Sequence, residues 1–180
     1  MAAGVESPAI RDIDGWLHRP FETAGAVTVL LFVASDCPIS NSYAPEIQSV
    51  CATYGGKGVR CLLIYEDDRL EPGAVRAHLA AYRYSGVAAA VDADRAIARA
   101  AGATVTPEAV LVDRAGTVRY RGRIDNLYAA LGTTRQQVTS HDLRDALDAV
   151  LGGRQVPHPE TEALGCFITD PALLRKHDHE

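Results

Sequence analysis

Cysteine is scarce in this sequence, with Cys37, Cys51, Cys61 and Cys166 as the only four among 180 residues. That density excludes a small scaffold stapled by disulfides and leaves each cysteine to be argued singly. Basic charge is in deficit, 18 Lys and Arg against 23 Asp and Glu for a net charge of −5. The balance argues against a general binder of nucleic acid or of anionic membrane. Long hydrophobic runs are missing too: the longest, residues 27–34 (VTVLLFVA), falls short of half a membrane span, so no transmembrane helix is expected. Residues 1–20 show no basic start followed by an apolar run, so no secretory signal is expected within them. The expected compartment is the cytoplasm for the chain as written, or the periplasm where a leader has been removed.

What is present fits one soluble globular domain, with 47% hydrophobic and 23% charged residues. Residues 27–34 form a β-branched and aliphatic run too short for a helix, as expected of a strand buried on both faces of a parallel sheet. Beyond it, Ser40 or Asn41 can cap a helix whose apolar positions Tyr43, Ile47, Val50, Cys51 and Tyr54 recur at helical spacing up to Gly55 and Gly56. Residues 58–65 predict a second buried strand and 71–84 a second helix; residues 87–91 predict a short strand and 94–101 a short helix capped near Asp92 or Asp94. Two further strands, 109–113 and 117–121, are joined by a four-residue loop ending in Gly116, so the sheet is mixed with an antiparallel edge. A last helix opens at Ser140 or His141, and residues 154–180 read as a Pro-rich polar tail. The sum is an α/β sandwich with helices on both faces of a central sheet.

The chemistry concentrates at Cys37. It follows the central strand and precedes a helix, the place where open α/β sheets put their ligand sites and where unpaired amides favour an anion. Pro38 suits the first helical turn, and Ser40 sits one turn along, its hydroxyl in reach of a thiolate but unable to form a disulfide. The motif C-P-I-S is thus a one-thiol version of C-x-x-C. Asp36 adds a like charge beside the thiol. Cys51 and Cys61, on a helix face and inside a strand, are expected as free core residues that act as small hydrophobes. Glu66, Asp67 and Asp68 follow the second strand at the same sheet edge, where one of them can relay a proton or bind a cation, though a solvated cluster is the default.

Residues 32–40 (FVASDCPIS), Pro45 eight residues after the cysteine, and Thr106-Pro107 ahead of a strand and the Gly116 hairpin together resemble the thioredoxin superfamily. The opening segment from Ser7 to Phe32 is similar to its redoxin branch, the alkyl hydroperoxide reductase and thiol-specific antioxidant type, in which a short hairpin precedes the central strand. The resemblance implies a three-layer thioredoxin-like sandwich over residues 1–153, with the tail 154–180 packed back on it. It implies that Cys37 matches the attacking cysteine, Ser40 the usual second cysteine, Pro45 the helix-kinking proline and Pro107 the cis-proline of the active site. Pro107 lacks an N–H and so leaves an edge where a substrate peptide can dock, with Thr106, Pro38 and Asp36 as substrate-facing neighbours.

Two departures reshape that inheritance. With serine at position 40 the dithiol cycle cannot close within the motif, and Cys166, in a Gly-Cys-Phe-Ile patch of the tail, is the candidate resolving thiol. Peroxiredoxins carry a proline and a threonine where this chain has Leu30 and Ala34, which weakens the peroxidase reading. Copper-delivery relatives carry a second cysteine where this chain has Val33; the histidines of the last forty residues, His141, His158, His177 and His179, do not restore that set. The expected function is a bacterial thiol–disulfide oxidoreductase without metal or cofactor, with a protein or small-molecule disulfide as substrate and an external thiol as reductant. The alternatives are a one-cysteine peroxidase acting on a peroxide, and a non-catalytic module that binds a partner or Cu(I).

Overall fold

The computed structural model describes residues 7–22 and 25–169. In chain order the elements are β1 (Ile10–Arg11), β2 (Leu17–His18), β3 (Thr28–Val33), α1 (Pro38–Ser42), α2 (Ala44–Gly55), β4 (Arg60–Tyr65), α3 (Pro72–Ala81), β5 (Ala88–Val91) and α4 (Ala96–Ala101). They continue as β6 (Val105–Thr106), β7 (Glu108–Val112), β8 (Val118–Gly122), β9 (Tyr128–Ala130), β10 (Thr133–Thr134), α5 (Asp142–Leu151) and β11 (Cys166–Phe167). The five-stranded sheet has the order β5-β4-β3-β7-β8. β3 pairs in parallel with β4 and antiparallel with β7, so the sheet is mixed, and all six β3 residues are buried. Alternation along the strands divides the core in two. Val29, Leu31, Leu63 and Leu111 pack with Ile47 of α2, Val75 of α3 and Leu143 and Leu147 of α5, whereas Leu30, Phe32, Ile64 and Val110 pack with Ile97 and Ala101 of α4. These are the layers of a thioredoxin-like fold.

Several elements depart from the sequence reading for local reasons. The first helix is broken: α1 ends at Tyr43, and α2 starts anew with Pro45 in its first turn, where a proline has no helical hydrogen bond to lose. The start of α4, by contrast, is as expected, the Asp92 carboxylate accepting from the Ile97 and Ala98 amides. The connection from β8 to α5 contains the small hairpin of β9 and β10.

Cys51 and Cys61 correct an expectation, since they form a disulfide rather than packing as free thiols. The inward face of α2 lies over β4 and brings their Cα atoms to 5.8 Å, inside the range a disulfide spans. The bond lines a cavity of about 630 Å³ at the end of the sheet remote from Cys37.

Residues after α5 return across the sheet. The Arg121 amide donates to the Pro159 carbonyl and the Thr161 amide to the Arg121 carbonyl, covering the outer edge of β8. A Cβ on Gly122, whose φ is +148°, would strike Thr161, so glycine permits this approach. The chain then crosses to β6, where β11 pairs antiparallel, Cys166 opposite Thr106 and Phe167 opposite Val105.

Candidate functional site

Cys37 is set by the end of β3 and the start of α1. It is the N-cap, with extended backbone, and its Sγ accepts the Ser40 amide at 3.5 Å. The Ser40 hydroxyl, expected to serve the thiol, is turned elsewhere: its oxygen accepts the Ala34 amide at 3.1 Å, pinning the strand end to the helix start. Serine at this position therefore acts on the sulfur through its backbone. Pro38 occupies the first position of α1, and both it and Asp36 are exposed.

Opposite the thiol stands the loop of β6 and β7. The Thr106-Pro107 bond is cis, and the Cys37 thiol donates to the Thr106 carbonyl at 3.5 Å. Glu108, which sequence reasoning passed over, fastens this loop: its buried carboxylate accepts the Thr104 amide at 2.7 Å and the Val105 amide at 3.3 Å. The signal for it was an acidic residue at the head of an otherwise apolar strand.

β11 brings the second thiol. Cys166 Sγ lies 2.8 Å from Cys37 Sγ and donates to it, and the Thr106 hydroxyl donates to the Cys166 carbonyl at 3.5 Å. A Cβ on Gly165 would overlap the Thr106 carbonyl and the Pro107 nitrogen, so only glycine lets the tail come this close. The Ile168 amide continues the pairing to the Thr104 carbonyl at 2.8 Å. Cys37 is 1% exposed beneath this strand, while Cys166 is exposed. The hydrogen bond to Cys37, with help from burial and from Asp36, pushes the Cys166 thiol up to about 11.

A cavity of about 350 Å³ opens beside Cys166, lined among others by Asp36, Glu66, Arg95, Thr106 and Phe167. Glu66, with a side chain 7% exposed, has no hydrogen-bond partner for either carboxylate oxygen, although Arg95 Nε lies 3.4 Å away. Burial, reinforced by Asp92, outweighs that cation and raises the carboxyl to about 9, so it is neutral at pH 7. Arg95 also donates to the Thr169 carbonyl at 3.2 Å, tying the turn before α4 to the segment that carries Cys166.

A second polar chain supports α1. Asn41 donates to the Ser35 carbonyl at 2.9 Å and accepts from His78 Nε2 at 2.8 Å, and His78 Nδ1 meets the Tyr65 hydroxyl at 2.8 Å. Burial holds the His78 imidazole below its usual range, hence neutral. Of the histidines considered for metal, His177 and His179 lie outside the described residues and His158 is exposed. His141 lies near Glu46 and Asp125, but Glu46 is held by Arg144 at 2.7 Å and Asp125 by the Tyr43 hydroxyl at 2.9 Å. No described helix is long and apolar enough to cross a membrane.

The comparisons with known proteins bear on the family and the fold. A family model described as Redoxin matches residues 4–130. A hypothetical protein of Sinorhizobium meliloti is similar at 28% identity and a TM-score of 0.75, covering 93% of this chain and 94% of that one. An uncharacterized conserved protein of Geobacillus kaustophilus is similar at 26% identity and a TM-score of 0.74, covering 92% and 90%. A secreted disulfide oxidoreductase of Mycobacterium tuberculosis, 20% identical with a TM-score of 0.54, covers 84% of this chain and 99% of its own and shares the fold. No curated protein matches.

Proposed function

The chain belongs to the redoxin family, and from that premise we propose that it is a thiol–disulfide oxidoreductase whose redox couple is Cys37 with Cys166. One observation carries the reading: across the β6–β11 pairing the two sulfurs stand 2.8 Å apart, beside the cis Thr106-Pro107 bond. Closing that gap to a disulfide takes two electrons and two protons from the pair, and an external thiol reductant restores them. The Ser40 amide steadies the charge on Cys37 when its proton leaves. The electrons pass to the substrate, a protein or small-molecule disulfide. The Cys51–Cys61 disulfide supports work in an oxidising compartment such as the periplasm over the cytoplasm, because thiol pools keep cytoplasmic cysteines reduced.

The test is intact mass and peptide mapping under non-reducing conditions, after mild oxidation and again after thiol reductant. The expected result is a reversible loss of two hydrogens mapped to Cys37 and Cys166, with turnover abolished in Cys37→Ser. A Cys37 that stays a free thiol, or only gains oxygen, overturns the reading.

A further inference from the structure

Building on the Cys37–Cys166 couple, we propose that external partners exchange with Cys166 and that Cys37 acts only inside the protein, so that every mixed disulfide with a partner is borne by Cys166. The sequence motif suggests the opposite order, with Cys37 meeting the partner. Three features of the fold reverse it.

The first is approach. An attacking thiolate must reach a sulfur in line with the bond it breaks. Cys37, at 1% exposure, is enclosed by the Ser40 amide, the Thr106 carbonyl and Cys166 Sγ. Cys166 is exposed and lines the 350 Å³ cavity, a cavity to which Cys37 contributes nothing. The second is the docking edge. Residues beside Pro107 would be free to pair with a substrate strand, but β11 already occupies them through the Cys166–Thr106 and Phe167–Val105 pairs and the Ile168 amide. Gly165, seated against the Thr106 carbonyl, closes the remaining space. The tail is thus its own occupant of that edge, and a partner meets the sulfur the tail displays. The third is the leaving group. When the Sγ–Sγ bond breaks by attack on Cys166, the electron pair falls on Cys37 Sγ, where the Ser40 amide stands ready to donate. Attack on Cys37 would instead release Cys166, whose sulfur has no such donor among the described contacts.

The steps balance as follows for a dithiol donor. Its thiolate attacks Cys166 Sγ, the Cys37–Cys166 bond breaks, and a donor–Cys166 disulfide forms with Cys37 as thiolate. The donor's second thiol attacks its own sulfur in that mixed disulfide and releases Cys166. The two donor protons end on Cys37 and Cys166, and the donor departs as a disulfide. Reduction of a substrate disulfide runs the same way in reverse, Cys166 attacking first and Cys37 resolving.

Two measurements test the order. In the reduced wild-type chain, pulses of iodoacetamide over a series of pH values followed by peptide mapping should, once each rate is divided by the thiolate fraction that its own pH profile gives, label Cys166 at least about tenfold faster than Cys37, since Cys37 needs a local opening first. In Cys37→Ser and Cys166→Ser variants treated with bis(hydroxyethyl) disulfide, Cys37→Ser should accumulate the stable mixed disulfide on Cys166 while Cys166→Ser reacts at least about tenfold more slowly. Equal or faster labelling of Cys37 in the wild type, or a mixed disulfide formed as readily on Cys37, overturns the order. Neither result depends on the function assignment, which stands or falls on whether the oxidised wild type holds a Cys37–Cys166 disulfide.

Discussion

Replacing Gly165 by alanine should loosen the redox site without unfolding the domain. An added Cβ would overlap the Thr106 carbonyl oxygen and carbon and crowd the Pro107 nitrogen, all of them backbone atoms that no rotamer change can move. Inserting one carbon into such a contact costs about 1–3 kcal/mol. The surrounding attachment is slight beside the core, with two registered pairs between β11 and β6, the Thr106 hydroxyl on the Cys166 carbonyl, the Ile168 amide and side chain, and the Arg95–Thr169 contact. Strain at Gly165 is therefore relieved by the tail lifting away, and the lifted population should rise about 5- to 150-fold at that cost. The iodoacetamide rate of Cys37 should climb by that factor, and the Cys37–Cys166 disulfide should become easier to reduce in thiol–disulfide buffers by the same factor. Global melting should change little, because neither core cluster contains Gly165. Gly73→Ala in α3 serves as control, since nothing lies within 4 Å of its added Cβ; it should leave both thiols unchanged and stabilise by about 0.4–1 kcal/mol. If Gly165→Ala leaves Cys37 labelling and the disulfide equilibrium within twofold of wild type, the tail is not held by this contact and the reasoning fails.

Opening the Cys51–Cys61 disulfide in a Cys37→Ser/Cys166→Ser background should lower stability by about 2–3 kcal/mol, the loop entropy expected for a sequence separation of 10; identical denaturant midpoints with and without reductant would refute this. His78 titrates below its unfolded value, so its contribution to stability is complete above about pH 6.5 and drains away as the pH falls through the folded value. Denaturation at stepped pH should show that slope in wild type and a weaker one in His78→Gln; parallel curves would count against it. Glu66 has the opposite sense: its carboxyl is raised to about 9, so its contribution is complete below about pH 4.3 and lost as the pH rises towards 9. Glu66→Gln should flatten stability across that window, and an unchanged pH profile would show that the carboxyl is not held neutral.

The strands were legible because apolar runs such as residues 28–33 can be satisfied only inside a sheet, and the place of Cys37 because a strand that ends where a helix begins defines the active edge. Other features needed three dimensions. Residues 51 and 61 each read as a small hydrophobe in an element of its own; their pairing depends on the turn between them folding α2 back over β4, and no periodicity reports that meeting. The Ser40 hydroxyl lies one turn from the thiol in sequence, yet it is the amide that faces the sulfur, because the hydroxyl oxygen is taken by the Ala34 N–H that the end of β3 leaves over. No spacing within residues 71–84 marks His78, yet its two ring nitrogens join Tyr65 to Asn41 and so brace α1. The Gly-Cys-Phe-Ile patch announced a tail with something to bury, but the register that sets Cys166 opposite Thr106 rests on the space left by Gly165.

Splitting the couple between a helix cap and a tail strand has an energetic consequence that a single C-x-x-C turn does not have. In that turn the separation of the sulfurs is fixed by the helix itself and changes only if the helix does. Here Cys37 belongs to the rigid edge of the sheet, while Cys166 is presented by β11, whose docking free energy is set by a few contacts of the tail that involve neither sulfur atom. Whatever strengthens docking raises the effective concentration of one thiol at the other and favours the disulfide; whatever weakens it favours the dithiol. For a two-electron couple, each 1.4 kcal/mol of docking free energy moves the reduction potential by about 30 mV. The potential of this site should therefore be tunable from Gly165 and Arg95 without touching a cysteine. Arg95→Lys removes the planar Nε–H that reaches Thr169 but keeps the charge near Glu66, and it should raise the potential. A potential unmoved by that change, with Cys37 labelling also unmoved, would show that Arg95 steadies the turn before α4 and not the tail.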